Sequence, residues 1–215
     1  MSNTLDKDRT YIWHPYTQHQ TERDPVVVTR GKGTSLFDEN GNEVLDLISS
    51  WWTSIHGHAN PALVEALSRQ ASELEHVMFG GFSHAPAADL AEALASILPG
   101  DLSRVFYSDN GSTAVEVALK IAYQYHRNAG DTDRIEFIAM EGGYHGDTLG
   151  AMSLGRGCAF FTLFEGLMCE AHPLPYAETW EEDPGIEARE ARAIAALEKN
   201  LDSRGRNCAA RHIEP

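Results

Sequence analysis

The spacing of hydrophobic positions changes along the chain, and each change predicts a different element. Between Val26 and Ser49, β-rich segments lie on both sides of Asn40-Gly41, a two-residue hairpin signal, so a small antiparallel unit is expected. After "HGHANP" the spacing becomes helical. Ala62, Leu63, Ala66, Leu67 and Leu74, then Leu90, Ala91, Leu94 and Leu98, predict two helices ending near His76 and before Pro99. Beyond them the pattern alternates: a strand over 104–108, a helix over 113–127, a strand over 134–140, a glycine-rich turn and a helix through Met152. Residues 156–183 read as loop, with Pro173, Pro175 and an acidic tract, and a helix over about 186–201 precedes one more short strand.

Strands alternating with helices imply right-handed crossovers and a mostly parallel sheet, so the fold class is α/β. Two domains are expected: residues 1–58 as an N-terminal segment with the hairpin unit, and 59–215 as a large α/β domain. The second would be incomplete, because a sheet that halts at a strand lacks its next crossover and exposes an edge. A shortened chain is therefore expected.

Composition narrows the function classes. A formal charge of -15 repels phosphate backbones, and no basic cluster with interleaved aromatics offsets it, which argues against nucleic acid. No apolar run approaches the ~20 residues of a membrane span, and the start lacks a secretory layout, so a cytoplasmic location is the default. Three cysteines without paired spacing fit reduced thiols better than a disulfide frame or zinc site.

Three segments carry candidate chemistry. In "YSDNGSTAVEVALK", Gly111 and Ser112 sit where a strand gives way to a helix, whose N-terminal N–H groups and dipole favour an anion such as phosphate. The competing reading makes Ser112 a plain helix cap with Glu116 complementing the dipole. In "EGGYHGDTLGAMS", glycines expose Tyr144 and His145, and Asp147 can hold the turn through backbone N–H groups; an ordinary glycine-rich loop is the alternative. In "ISSWWTSIHGHANP", paired tryptophans more often mark core or interface packing, and His56 with His58 lacks a third ligand, so no metal is expected.

Taken in order, "IWHPYT", "SSWW", "IHGH", "HVMFGGFSHAPA", "NGSTAVEVALK" and "GYHGDTLGAMS" resemble the class III pyridoxal-phosphate aminotransferases, fold type I transferases. The narrower motifs are similar to the branch that aminates 8-amino-7-oxononanoate with S-adenosylmethionine in biotin synthesis. The resemblance implies that Gly111 and Ser112 bind the phosphate of pyridoxal phosphate and that Tyr144 covers the ring and touches substrate. It also implies that Tyr16 and Trp51 line the substrate site, that Asp147 supports from behind, and that Glu214 supports the cofactor. A homodimer is implied as well. Other class III amine or ω-amino-acid aminotransferases, and an inactive fragment, stay as alternatives.

The family's Schiff-base lysine has no counterpart: Lys7, Lys32, Lys120 and Lys199 are the lysines present, and none lies in a matching segment. No catalytic residue is therefore assigned within this chain. Asn110 replaces the more usual Ser or Thr, and Arg211 and His212 interrupt an expected apolar strand.

Overall fold

A computed structural model describes residues 4–212. The chain forms two compact units, divided between Glu92 and Ala93. The first holds helix α1 (Thr4–Tyr11), strands β1 (Val28–Lys32), β2 (Ser35–Asp38) and β3 (Glu43–Leu45), the single turn α2 (Ser49–Trp52) and helix α3 (Pro61–Glu73). Helix α4 (Ala85–Ile97) contains the boundary. The second holds α5 (Gly111–Asn128), β4 (Glu136–Met140), α6 (Leu149–Leu154), a 3-10 helix (Ala159–Leu167), β5 (Ala171–Leu174), α7 (Ile186–Arg204) and β6 (Cys208–His212). No helix among the described residues is long and apolar enough to cross a membrane.

In the first unit β1, β2 and β3 form the expected antiparallel sheet. The turn differs in detail. The Asp38 N–H bonds the Asn42 carbonyl at 3.0 Å, so residues 39–41 make a three-residue loop, with Gly41 at φ 83°. One Asp38 oxygen accepts from the N–H groups of Asn40 and Asn42, which fixes the loop. Helix α3 begins where the Asn60 side chain accepts from the N–H groups of Ala62 and Leu63, with Pro61 in the first turn.

In the second unit the sheet order is β5-β4-β6, with both pairs parallel. The central strand β4 is buried on both faces because successive side chains alternate. Ile138, 1% exposed, packs with Leu174, Cys208 and Leu197 of α7. Ala139 packs with Leu154 of α6, Ala171, and Val115 and Leu119 of α5. Helices therefore cover both faces, the arrangement of an α/β domain. At the start of β4, Glu136 bonds His172 at 2.8 Å and Arg204 at 3.2 Å, tying α7 to the strands.

Two expected elements differ. Residues 104–108 form no strand: no described segment pairs with them, and a strand needs a ladder partner. The stretch read as loop contains both the 3-10 helix and β5. Pro173 obscured β5, yet a proline without an N–H is tolerated on an edge strand, which is β5's place in the described sheet.

Candidate functional site

The start of α5 is capped by Asn110, not Ser112. The Asn110 side chain accepts from the Thr113 N–H at 3.0 Å, and the Thr113 hydroxyl accepts from the Asn110 N–H at 3.0 Å. This reciprocal box makes Asn110 a working substitute at its position and overturns the reading of Ser112 as the cap. Among the described residues, the N–H groups of Gly111 and Ser112 find no acceptor, and they lie at the positive end of an 18-residue helix. A Cβ added to Gly111 would meet nothing within 4 Å, so the space before the helix is open.

Ser112 is engaged from the other side. Its hydroxyl oxygen accepts from the Asp147 N–H at 3.3 Å, which leaves the hydroxyl proton to donate. The approach is so close that a Cβ at Gly146, which sits at φ 116°, would collide with the Ser112 hydroxyl. Asp147 in turn accepts from the Tyr144 hydroxyl at 2.8 Å. Phe161 stacks against the Tyr144 ring with centroids 5.8 Å apart and planes 22° apart, and Tyr144 stays about half exposed. Gly111, Ser112, Tyr144 and Asp147 thus form one connected group at the C-terminal side of β4, the end at which α/β sheets bind ligands.

A further residue completes this group. Glu116 of α5 accepts from the N–H groups of Gly150 at 2.6 Å and Ala151 at 3.3 Å, so it satisfies the first turn of α6. A Cβ at Gly150 would collide with that carboxylate. Sequence reasoning gave Glu116 only a dipole role within α5. The signal was its position one turn after Ser112, together with a small residue at Gly150 that admits a side chain from another element.

In the first unit, Tyr16 and Trp51 meet edge to face, with centroids 5.6 Å apart. Both have positive φ, 57° and 55°, and Trp51 belongs to a run from Ser49 to Trp52 in which every residue does. Trp51 and Trp52 are 58% and 77% exposed, so neither packs in the core of this unit. His58 bonds Asp46 at 2.8 Å. The Asp46 carboxyl is lowered from its ordinary value to about 2, first by the Ser50 N–H, then by the Ser50 hydroxyl, with His58 adding to both.

Glu214 lies outside the described residues. In the second unit Lys120 is exposed, eight residues along α5 from Ser112, or about 12 Å at helical rise. Cys158, Cys169 and Cys208 are free thiols.

Comparison with known proteins adds identity. The model of the family "Aminotransferase class-III" matches residues 16–215. An adenosylmethionine-8-amino-7-oxononanoate aminotransferase of Synechococcus elongatus is 52% identical over 191 residues, covering 89% of this chain and 45% of that protein. The crystal structure of the enzyme of that name from Methanocaldococcus jannaschii superposes with a TM-score of 0.84 at 34% identity, covering 96% of this chain and 45% of the other. A PMP-bound aminotransferase from Vibrio fluvialis gives 0.89 at 26% identity, covering 100% and 49%. The chain spans about half the length of the curated relatives it matches.

Proposed function

The chain belongs to the class III aminotransferases, and from that premise we propose that it is part of an enzyme converting 8-amino-7-oxononanoate to 7,8-diaminononanoate, with S-adenosylmethionine as amino donor. The family uses pyridoxal phosphate, which when bound supplies the electron sink for amino transfer. The observation that carries the cofactor assignment is the open N-terminus of α5, facing a space that nothing fills at Gly111.

The residues fit the group. The Gly111 and Ser112 N–H groups and the Ser112 hydroxyl proton offer three donors to a phosphate. Asp147 holds the Tyr144 hydroxyl and so orients the phenol ring, which would cover the ring of the cofactor. The Asp147 N–H fixes the Ser112 oxygen, so the ring and the cradle keep one spacing. Tyr16 and Trp51 supply aromatic walls for a long, mostly apolar substrate, with a phenol hydroxyl for its polar end. Glu214 supports the cofactor from beyond the described residues. In the family a lysine holds the cofactor and moves the proton, and none of the four lysines here takes that role in this proposal, so Gly111, Ser112 and Tyr144 would bind the cofactor without a covalent bond. The complete enzyme is a homodimer in the cytoplasm.

A second reading, an amine or ω-amino-acid aminotransferase, is favoured by the TM-scores of 0.88 to 0.89 with ω-transaminase and Vibrio structures. The 52% identity favours the first. The test is transamination of 8-amino-7-oxononanoate in a preparation that supplies the missing lysine, read by mass spectrometry of the diamine. Product with S-adenosylmethionine and not with simple ω-amines supports the first reading. The reverse preference overturns it.

A further inference from the structure

The turn that presents Trp51 has an unusual conformation. Ser49, Ser50, Trp51 and Trp52 have φ of 48°, 48°, 55° and 64°, four successive L-residues in the left-handed region, which such residues rarely enter even singly. The turn has its own backbone bonds, Trp52 N–H to Ile48 O and Ser54 N–H to Ser49 O, both at 2.9 Å. Those bonds do not select the left hand, because a right-handed turn forms equivalent ones. An external hold is needed, and a run of such residues beside a binding surface points to a functional constraint.

Asp46 supplies the hold. Its side chain is 6% exposed. One oxygen accepts from the Ser50 N–H at 3.0 Å, and the other accepts from the Ser50 hydroxyl at 2.7 Å and bonds His58 Nε2 at 2.8 Å. Both anchors are fixed to the sheet region. The Asp46 N–H bonds the Thr34 carbonyl at 2.9 Å, and His58 exchanges two backbone bonds with Gly33, at 2.7 and 3.0 Å. The carboxylate therefore ties the middle of the left-handed turn to a rigid frame. It remains ionised well below neutral pH, since its pKa is lowered to about 2.

We infer that Asp46 is a positioning residue whose carboxylate holds the Ser49–Trp52 turn left-handed and so sets the Trp51 ring edge to face with Tyr16. The part of this inference that concerns substrate rests on the proposed function. Asp46 touches no substrate in it. Reversing the hand of the turn would swing the Trp51 side chain off Tyr16 and remove one wall of the surface assigned to the oxononanoate.

The test compares Asp46→Ala, Asp46→Asn and Trp51→Phe in the whole chain. The Trp51 contribution to the near-ultraviolet circular dichroism, defined by Trp51→Phe, is expected to vanish in Asp46→Ala, and exchange of the Ser50 amide to accelerate at least tenfold. Asp46→Asn keeps an acceptor for the Ser50 N–H and is expected to retain most of both. Binding of 8-amino-7-oxononanoate should weaken about tenfold in Asp46→Ala and recover in Asp46→Asn, while the Kd for pyridoxal phosphate stays within twofold. An unchanged Trp51 signal in Asp46→Ala overturns the inference, as does equal weakening of both ligands. Should Asp46→Ala unfold the hairpin unit, Asp46→Ser carries the test, because its shorter side chain stays polar but falls short of the Ser50 N–H and hydroxyl: a Trp51 signal lost as in Trp51→Phe supports the inference and a full signal overturns it. If the wild-type chain binds no oxononanoate, the substrate assignment fails, and the spectroscopic result still decides the role of Asp46.

Discussion

The N–H of Asp147 donates to the hydroxyl of Ser112 at 3.3 Å across 35 positions of sequence, joining the start of α5 to the loop after β4. That bond, with the Tyr144 hydroxyl on the Asp147 carboxylate, makes an anion site and an aromatic ring into one unit. Its consequences can be measured.

Gly146→Ala should separate the two loops. The added methyl collides with the Ser112 hydroxyl, and φ of 116° disfavours any side chain. A loss of more than about 1 kcal/mol of stability is expected from denaturant titration. Pyridoxal phosphate binding should fall with it.

Glu116→Ala leaves the Gly150 and Ala151 N–H groups at the start of α6 without their acceptor. A cost of about 1 to 3 kcal/mol is expected. Amide exchange should rise first at those two residues and in the loop carrying Tyr144. Protection in β4, buried between helices, should change least.

Ser49→Gly should have the opposite sign. Glycine enters the left-handed region without the Cβ penalty, which for an L-residue is roughly 1 to 2 kcal/mol, and its larger loss of chain entropy offsets part of that gain. A net stabilisation of about 0.5 to 1 kcal/mol is expected in thermal or urea unfolding. Destabilisation would mean that the turn is not left-handed in solution.

The Asp46 carboxylate sets a pH dependence. Its folded pKa, about 2, lies below the ordinary value of 3.8, so folding binds fewer protons there than the unfolded chain does. The stability it contributes is fully present above about pH 4 and is lost as pH falls through the folded pKa. Urea midpoints of wild type and Asp46→Asn should differ near neutrality and converge between pH 4 and 2. A constant difference over that window would contradict the assignment.

Much of this architecture was legible because it rests on periodicity. The helical spacing in residues 111–128 and the apolar run of β4 name their elements directly, and the small residue at Gly146 marks a close approach. What escaped depends on pairing or on conformations with no pattern. Residues 104–108 look like a strand but find no partner among the described residues, and β5 hides behind Pro173 at a sheet edge. The left-handed turn at Ser49–Trp52 contains no glycine to announce it; its cause is the Asp46 carboxylate, whose bonding to Ser50 becomes apparent only once the hairpin places it. Glu116 was visible in the sequence, but its partners are 34 and 35 positions away.

The most direct test of the account is equilibrium binding of pyridoxal phosphate and of pyridoxal, which lacks the phosphate, to the wild-type chain and to Ser112→Ala. Removing the Ser112 hydroxyl should weaken pyridoxal phosphate by about tenfold, the effect of one charge-assisted hydrogen bond of roughly 1.5 kcal/mol. Pyridoxal, weaker throughout, should be unaffected. Equal affinity of the wild-type chain for the two compounds, or no loss of pyridoxal phosphate binding in Ser112→Ala, would contradict a phosphate cradle at the start of α5.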